Sequence, residues 1–343
     1  MTEPEPTIAL DAMGSDSGPE PAVRAAARLS LKGGTRIVLV GHTDALHDSL
    51  NTLRYDPAWL SIQHAPDVIE MSDKARESVA GKPDASLMVA TKLVAEGQAD
   101  ALVTAGNTGA AILAAVSTFE LLPGVKRAAL AAVVPSPDAH GDKNDPFSLI
   151  LDVGATMQAD ADTLVSFARM GDAYVRIISR DKEPKVALLS NGVEPTKGPP
   201  AVVEAHRRLL DVDSLRFVGN IEGVDIPQGK ANVIVTDGYT GNIVLKMYEG
   251  MGESLLETAR YAQHDRLAWR AGMYLLQSGI QRMRRVYDWR EYGGAPLLGF
   301  RQLLIKAHGR SGGRAIANAV KVAAKAIKSD LAGRIADSMK DTP

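Results

Sequence analysis

Two segments of the chain repeat one chemistry-bearing pattern. Ala101–Ile112 reads ALVTAGNTGAAI and Val233–Leu245 reads VIVTDGYTGNIVL, so Thr104/Thr236, Gly106/Gly238, Thr108/Thr240 and Gly109/Gly241 correspond. In each, a short β-branched run ends in Thr-x-Gly-x-Thr-Gly and passes into an apolar helical stretch. Glycine permits a tight turn and close approach of backbone to a ligand. The first helical residues leave N–H groups without intrahelical partners, and the helix dipole adds partial positive charge behind them. Together these make an anion site. Two such junctions point to a cleft that holds negative charge, most simply phosphate. Asn107, Thr108 and Gly109 would line one side, and Asp237, Gly238, Thr240 and Gly241 the other.

Other residues fit the same cleft. The first strand-like run ends in Asp11-Ala12-Met13-Gly14, a loop that can hold an anion, position a carboxylate or simply cap a helix. Asp152 ends another apolar run and has the same two readings. Lys197 sits between Thr196 and Gly198 after the run Val186–Leu189, a good place for a phosphate-binding cation. Asn242 directly follows the second turn, where its amide can donate to an oxyanion beside the helix start. Lys246 is expected further down the helix, outside the site. In Ile305-Lys306-Ala307-His308-Gly309 one imidazole and one cation stand beside glycine, and His308 is an acid/base or phosphate-ligand candidate. Asp138, His140, Asp142 and Asp145 crowd one loop, but at no spacing that a metal demands. No metal and no cofactor are expected. Gly-x-Ser-x-Gly, Walker and Gly-x-Gly-x-x-Gly motifs are missing, which argues against serine hydrolases, P-loop ATPases and dinucleotide-dependent dehydrogenases.

An alternating series of elements must position these residues. Ile8–Leu10, Ile37–Val40, Ala101–Val103, Ala129–Val134, Leu149–Val153, Val186–Leu189 and Val233–Val235 read as strands. Glu20–Ser30, Ser86–Glu96, Ala110–Leu121, Ala161–Ile177 and Pro200–Asp211 read as helices between them. Non-alternating apolar strands are covered on both faces, and β-α alternation predicts a mostly parallel, twisted α/β sheet of Rossmann-like type with flanking helices. Ligands then bind at the carboxyl ends of the strands, where both repeated turns lie. From about 244 to 290 the pattern is purely helical, with an apolar stripe from Trp269 to Tyr287 beside Arg266, Arg270, Arg282, Arg284 and Arg285. A last helix is predicted from Arg314 to about Met339, with Ser311 as a possible cap. Tyr292–Gly299 reads as tight packing or a lid.

Composition narrows the class. The chain has 343 residues, 45% hydrophobic and 23% charged, which fits a large core or two joined lobes. A net charge of −2 argues against non-specific nucleic-acid binding. With no cysteine there is no thiolate nucleophile or disulfide, in keeping with a reducing cytosol. MTEPEP lacks the apolar core of a secretory signal. Ala101–Phe119 is uncharged and long enough to span a bilayer, but it contains the first glycine turn and reads as a buried strand and helix start.

Several blocks share one order along the chain. They are IALDAMGSDSGP at 8–19, ADALVTAGNTGA at 99–110, LILDVGA at 149–155, FVGNIEGVDI at 217–226, ANVIVTDGYTGNIVLKMYEG at 231–250, EYGGAPLLGF at 291–300 and IKAHGRS at 305–311. Together they resemble the acyl-carrier-protein:phosphate acyltransferases of bacterial phospholipid synthesis. The resemblance implies transfer of a long-chain acyl group from acyl-acyl-carrier protein to inorganic phosphate. It also implies a homodimer, a sheet related to phosphate acetyltransferases and isocitrate dehydrogenase-type folds, and a cytoplasmic enzyme loosely associated with the anionic membrane surface near a downstream membrane acyltransferase. A single domain over 1–343 would carry a helical dimerisation or membrane-facing insert at about 244–290. Lys197 and Asn242 would be catalytic, with Asp11, Gly14, the two glycine turns and His308 binding substrate. The chain departs from the family at ARESVAGKPDASLM (75–88), where Arg76, Lys82 and Ser86 are imperfect counterparts of a basic, serine-paired run, and at Thr156, where asparagine is common. The rival readings are a phosphate acyltransferase that uses short acyl-CoA and a non-catalytic scaffold at the membrane surface.

Overall fold

The computed structural model describes residues 5–140, 145–265, 272 and 293–340. Twelve strands run β1 Thr7–Asp11, β2 Arg36–Gly41, β3 Leu60–His64, β4 Ala101–Thr104, β5 Ala129–Leu130, β6 Ala132–His140, β7 Asp145–Leu151, β8 Lys185–Leu189, β9 Arg216–Ile221, β10 Val233–Val235, β11 Ala295–Leu298 and β12 Leu303–Lys306. Helices are α1 Glu20–Ser30, α2 Thr43–Leu50, α3 Ala75–Gly81, α4 Ser86–Ala95, α5 Thr108–Thr118, α6 Ala161–Ile178, α7 Pro200–Leu209, α8 Gly238–Asp265, α9 Gly313–Lys328 and α10 Leu331–Lys340.

The strands form two sheets, ordered β3-β2-β1-β4-β12-β11-β5 and β6-β7-β10-β8-β9. β11 is antiparallel to both its neighbours, and β6 is antiparallel to β7; the other pairings are parallel. The sheets meet where β5 passes into β6. There the N–H of Val153 donates to the Leu130 carbonyl, and the N–H of Leu130 donates to the Asp152 carboxylate.

Both faces are covered, so the strands are apolar throughout. On one face Ile8, Leu10, Val103 and Ile305 join Val23 of α1 and Ile316 and Val320 of α9; farther along, Leu149, Leu151 and Val233 join Phe167 of α6. On the other face Ala9, Leu102 and Leu304 pack under Ala90 of α4 and Ala111 and Ala114 of α5. Burying a Leu or Ile side chain is worth about 1.5–3 kcal/mol. These two layers therefore fix which side of each strand end meets which helix, and the site inherits that assignment.

All seven sequence-read strands and all five helices between them are present, and the α/β, mostly parallel architecture stands. Four strands escaped the sequence reading: β3, β9, β11 and β12. The glycine-rich Tyr292–Gly299 stretch is no lid where it is described. Pro296, Leu297 and Leu298 are buried in β11, between β12 and β5. The single C-terminal helix is in fact two, broken at Ser329–Asp330, where Asp330 takes a left-handed φ of 48°. Gly312 rather than Ser311 caps α9, with no side-chain hydrogen bond. Ala101–Phe119 folds as β4, the first turn and α5, and no described helix is long and apolar enough to cross a membrane. The Trp269–Tyr287 stripe and its arginines lie outside the described residues, apart from Gly272, and so do the side chains of the Asp138–Asp145 loop.

Candidate active site

Each repeated turn is braced by a buried aspartate from the neighbouring strand. β1 and β4 pair so that Asp11 lies beside Thr104. Asp11 accepts hydrogen bonds from Ser86 Oγ and Thr104 Oγ1, both at 2.7 Å, and Thr104 Oγ1 in turn accepts from the Gly106 N–H at 3.0 Å. β7 and β10 pair so that Leu151 lies beside Val235, which sets Asp152 beside Thr236. The Asp152 Oδ1 accepts from the N–H groups of Leu130, Gly154 and Ala155, and Oδ2 accepts from that of Thr156. The Thr156 carbonyl then accepts the Gly238 N–H at 2.8 Å.

The glycines follow from that bracing. A Cβ on Gly14 would stand 2.8 Å from the Gly106 Cα and 3.0 Å from the Asp11 carboxylate. In the second half, a Cβ on Gly238 would press on the Asp152 carboxylate and lie 3.1 Å from the Gly154 Cα, and one on Gly241 would overlap the Asp152 carbonyl. The repeat is therefore larger than Thr-x-Gly-x-Thr-Gly. It pairs Asp-x-x-Gly at 11–14 with the first turn and Asp-x-Gly at 152–154 with the second. The sequence held this signal, but the paired residues are about eighty to ninety positions apart and only strand register joins them.

The two turns differ in their caps. Asn107 caps α5: its side chain accepts from the Ala110 N–H, and its amide donates to the carbonyls of Met71 and Asp73 at 3.2 and 2.9 Å. That side chain is occupied in holding the 70–73 loop. The open donors of the first turn are the N–H groups of Thr108 and Gly109. α8 starts two positions earlier relative to the repeat, because Asp237 caps it by accepting the Thr240 N–H at 2.7 Å. Asn242 follows at the start of the second turn of α8, half-buried, and its side chain has no hydrogen-bond partner among the described residues.

Burial shapes the charge of the site. Desolvation raises the carboxyl pKa of Asp152, opposed by its four N–H donors. Lys306, at the end of β12 in register with Thr104, is 6% exposed, and burial pushes its ammonium pKa down to about 8 against the pull of Asp11 and Asp16. His308 is half-buried. Burial lowers its pKa first, then Lys306 and Arg310, with Asp16 opposing and Lys246 adding a further lowering. Its Nδ1 accepts the Arg310 N–H at 3.3 Å, which puts the proton of the neutral ring on Nε2. Lys246, expected outside the site, thus acts on His308, because the third turn of α8 brings it within electrostatic reach of the loop after β12. That loop is also tied to the first one. The Gly309 carbonyl accepts the Asp16 N–H and Ser15 Oγ at 3.2 and 3.3 Å.

Lys197 is exposed, with no ion pair among the described residues, but its loop is fixed. The Lys197 N–H donates to the Glu194 carbonyl at 3.0 Å, and Ser190 Oγ donates to the Lys197 carbonyl at 3.0 Å. Buried Asn220 donates to the Glu194 carbonyl at 2.9 Å, and its Oδ1 meets His206 Nδ1 at 2.9 Å. Of the imperfect counterparts, Ser86 holds Asp11 and Lys82 pairs with Asp73 at 2.6 Å. Asp11, Gly14, both turns, Lys306 and His308 thus occupy the carboxyl edges of the two sheets. Lys197 lies on the loop after β8, a strand that pairs with β10.

Residues 6–334 match the family described as fatty acid synthesis protein. The phosphate acyltransferase of Myxococcus xanthus is 42% identical over 319 residues, covering 92% of this chain and 88% of that one. That of Thermodesulfovibrio yellowstonii is 37% identical over 335 residues, covering 98% and 94%. Among solved structures, a phosphotransacetylase from Streptococcus pyogenes superposes with a TM-score of 0.62 at 20% identity, covering 94% of each chain. The EutD phosphotransacetylase from Staphylococcus aureus gives 0.61 at 17% identity, also covering 94% of each. The structural likenesses show the fold, and the sequence likenesses carry the activity, acyl transfer to phosphate. The chain belongs to the fatty acid synthesis protein family in which these bacterial phosphate acyltransferases fall.

Proposed function

We propose that the acyl donor is the thioester of acyl-carrier protein bearing a long-chain fatty acid, and that the product is an acyl phosphate for phospholipid synthesis. An oxygen of inorganic phosphate attacks the thioester carbonyl carbon. The C–S bond then breaks, and the carrier thiolate leaves and takes up a proton. Phosphate is already an anionic nucleophile, and a thiol of pKa about 8.5 leaves with little acid assistance, so no covalent enzyme intermediate is needed. The enzyme's work is to hold phosphate against the carbonyl and to stabilise the oxyanion.

The observation that carries this reading is the pair of Asp-braced glycine turns opening α5 and α8, together with two side chains without a hydrogen-bond or ion-pair partner among the described residues, Lys197 on the loop after β8 and Asn242 in α8. Lys197 binds phosphate or the acyl phosphate, and Asn242 donates to the carbonyl oxygen. The N–H groups of Thr108 and Gly109 form the cradle, and the second turn adds only the N–H of Tyr239, since those of Gly238, Thr240 and Gly241 are bonded to Thr156 and Asp237. Neutral His308, with its proton on Nε2, faces the same edge as a donor to phosphate. The proposed homodimer uses the helical segment after α8 begins, because Tyr239, Ile243, Met247 and Met251 recur every four residues and are 62%, 46%, 60% and 60% exposed. Peripheral contact with an anionic membrane is the alternative use of the helical insert, and docking of the acidic carrier would fall to its arginines, Arg266, Arg270, Arg282, Arg284 and Arg285.

The test is phosphate-dependent release of free thiol from long-chain acyl-acyl-carrier protein, with acyl-CoA run in parallel. Release from the carrier substrate with formation of acyl phosphate is the expected result. Release from acyl-CoA alone would refute the carrier assignment, and no release from either would refute catalysis.

A further inference from the structure

Lys306 is a buried cation that the scheme above leaves unused. Its only hydrogen bond among the described residues goes to the carbonyl of Ala307, and no described carboxylate lies within ion-pair distance. A buried charge without a partner is costly, and native sites that retain one pair it with something. The place is informative. Asp11, Thr104 and Lys306 lie in register at the carboxyl ends of three adjacent strands, so their side chains share one face. It is the face on which Ala9, Leu102 and Leu304 meet α4 and α5. On that face Asp11 already accepts from two hydroxyls, one of them Ser86 at the start of α4. Lys306 therefore lies on the face that α5 covers, at the strand end from which the turn into α5 departs, and the open N–H groups of Thr108 and Gly109 and the helix dipole make that turn positive as well. Asp11 and Asp16 offset part of that positive charge without pairing with it, and a bound anion at the turn would offset the rest.

We propose that the Lys306 ammonium is the buried counter-charge of the phosphate bound at the first glycine turn, acting with the α5 N-terminus. The inference rests on the acyl-transfer reading for its substrate, inorganic phosphate. Lys197 reaches that anion from the exposed loop of the second sheet, whereas Lys306 meets it from the floor of the first.

Lys306→Met in the full-length protein tests this, with thiol release and thermal unfolding measured at varied inorganic phosphate. The expected KM for phosphate rises roughly 10- to 100-fold, the loss of one charge-assisted contact, while the KM for the acyl donor stays unchanged. Phosphate alone raises the Tm of the wild type, and this rise is largely lost in the variant. Without phosphate the variant is as stable as the wild type or more so, because it no longer buries an unpaired charge. In the wild type the phosphate-induced rise weakens as pH passes the ammonium value of about 8. Asp11, Asp16 and His308 also face Lys306, with Arg310 and Lys246 beyond His308. This wild-type pH dependence needs no variant and stands even if Lys306→Met folds poorly. An unchanged phosphate KM and Tm response, with stability lost in the absence of phosphate, would overturn the proposal and make Lys306 a structural counterion of Asp11. An inactive wild type that phosphate still stabilises through Lys306 would defeat the acyl-transfer reading and leave the anion site standing.

Discussion

Replacing Asp152 by asparagine and by alanine separates a brace from a mere turn-former. The carboxylate is 0% exposed and serves four backbone N–H groups, three on Oδ1 and one on Oδ2. Asparagine can keep an oxygen at the Oδ1 position and satisfy Leu130, Gly154 and Ala155. Its amide nitrogen then faces the Thr156 N–H, donor against donor, so one bond is lost. One orphaned buried donor costs about 1–3 kcal/mol. Alanine orphans all four donors, about 4 kcal/mol even at the lower end of that range, against a total stability of about 5–15 kcal/mol. Urea denaturation reads both. The pH profile supplies a second test. Burial raises the folded-state pKa of Asp152 above its ordinary 3.8, so the folded protein binds more protons than the unfolded chain just above 3.8. Stability from this group therefore falls as pH rises from about 3.8 through the folded value, and the asparagine variant loses that slope. Thr156, held by Oδ2, accepts the Gly238 N–H, so turnover drops in Asp152→Asn before the fold does. Equal destabilisation by the two substitutions, or wild-type turnover in both, would refute the brace.

The remaining predictions concern the groups that meet the substrate and those that hold them. Asn242→Ala lowers kcat roughly 10²–10³-fold if its amide meets the oxyanion, and near-normal turnover removes it from the mechanism. Lys197→Ala raises the KM for phosphate, and unchanged phosphate saturation defeats its assigned role. Asn220→Ala frees the Glu194 carbonyl beside Lys197, so the phosphate KM rises while the acyl-donor KM holds; equal changes in both would mean general loosening. NMR titration gives His308 a pKa below 6.5, and Lys246→Ala raises it because a neighbouring positive charge is removed; an unmoved titration would place Lys246 out of reach.

Local pattern made much of this molecule legible. Apolar non-alternating runs announced the parallel strands, and the glycine turns announced two helix starts at strand ends. β11 and β12 were hidden for the same reason that Lys306 was overlooked. Glycines flank the first, a lysine closes the second, and both features read locally as loop chemistry. Only the sheet, which inserts these late strands beside β4, makes Lys306 a floor residue. Asn107 shows a long-range role that the sequence did not display. Its type fitted a ligand contact, but its amide spans to a loop more than thirty residues earlier, and no local pattern reports that.

The doubled turns also differ in a way that fits a two-substrate reaction. A symmetric pair of anion sites would suit two phosphates, but acyl transfer to phosphate needs one site rich in charge and one that donates to a neutral carbonyl. The first turn has two open N–H groups and leaves the strand end that also carries the buried Lys306 ammonium. At the second, Asp237 and Thr156 take up the backbone donors of Thr240 and Gly238, and the neutral amide of Asn242 stands beside them. A charged donor favours the anion already present in the ground state, whereas a neutral amide gains most when charge develops on the carbonyl oxygen in the transition state. Loss of the first half should therefore appear chiefly in the phosphate KM, and loss of the second in kcat. The double variant Lys306→Met/Asn242→Ala should show both changes with little coupling between them, since they act on different atoms of the reacting pair. Strong non-additivity in kcat would mean that both residues bear on the same oxygen, and would refute the division of labour.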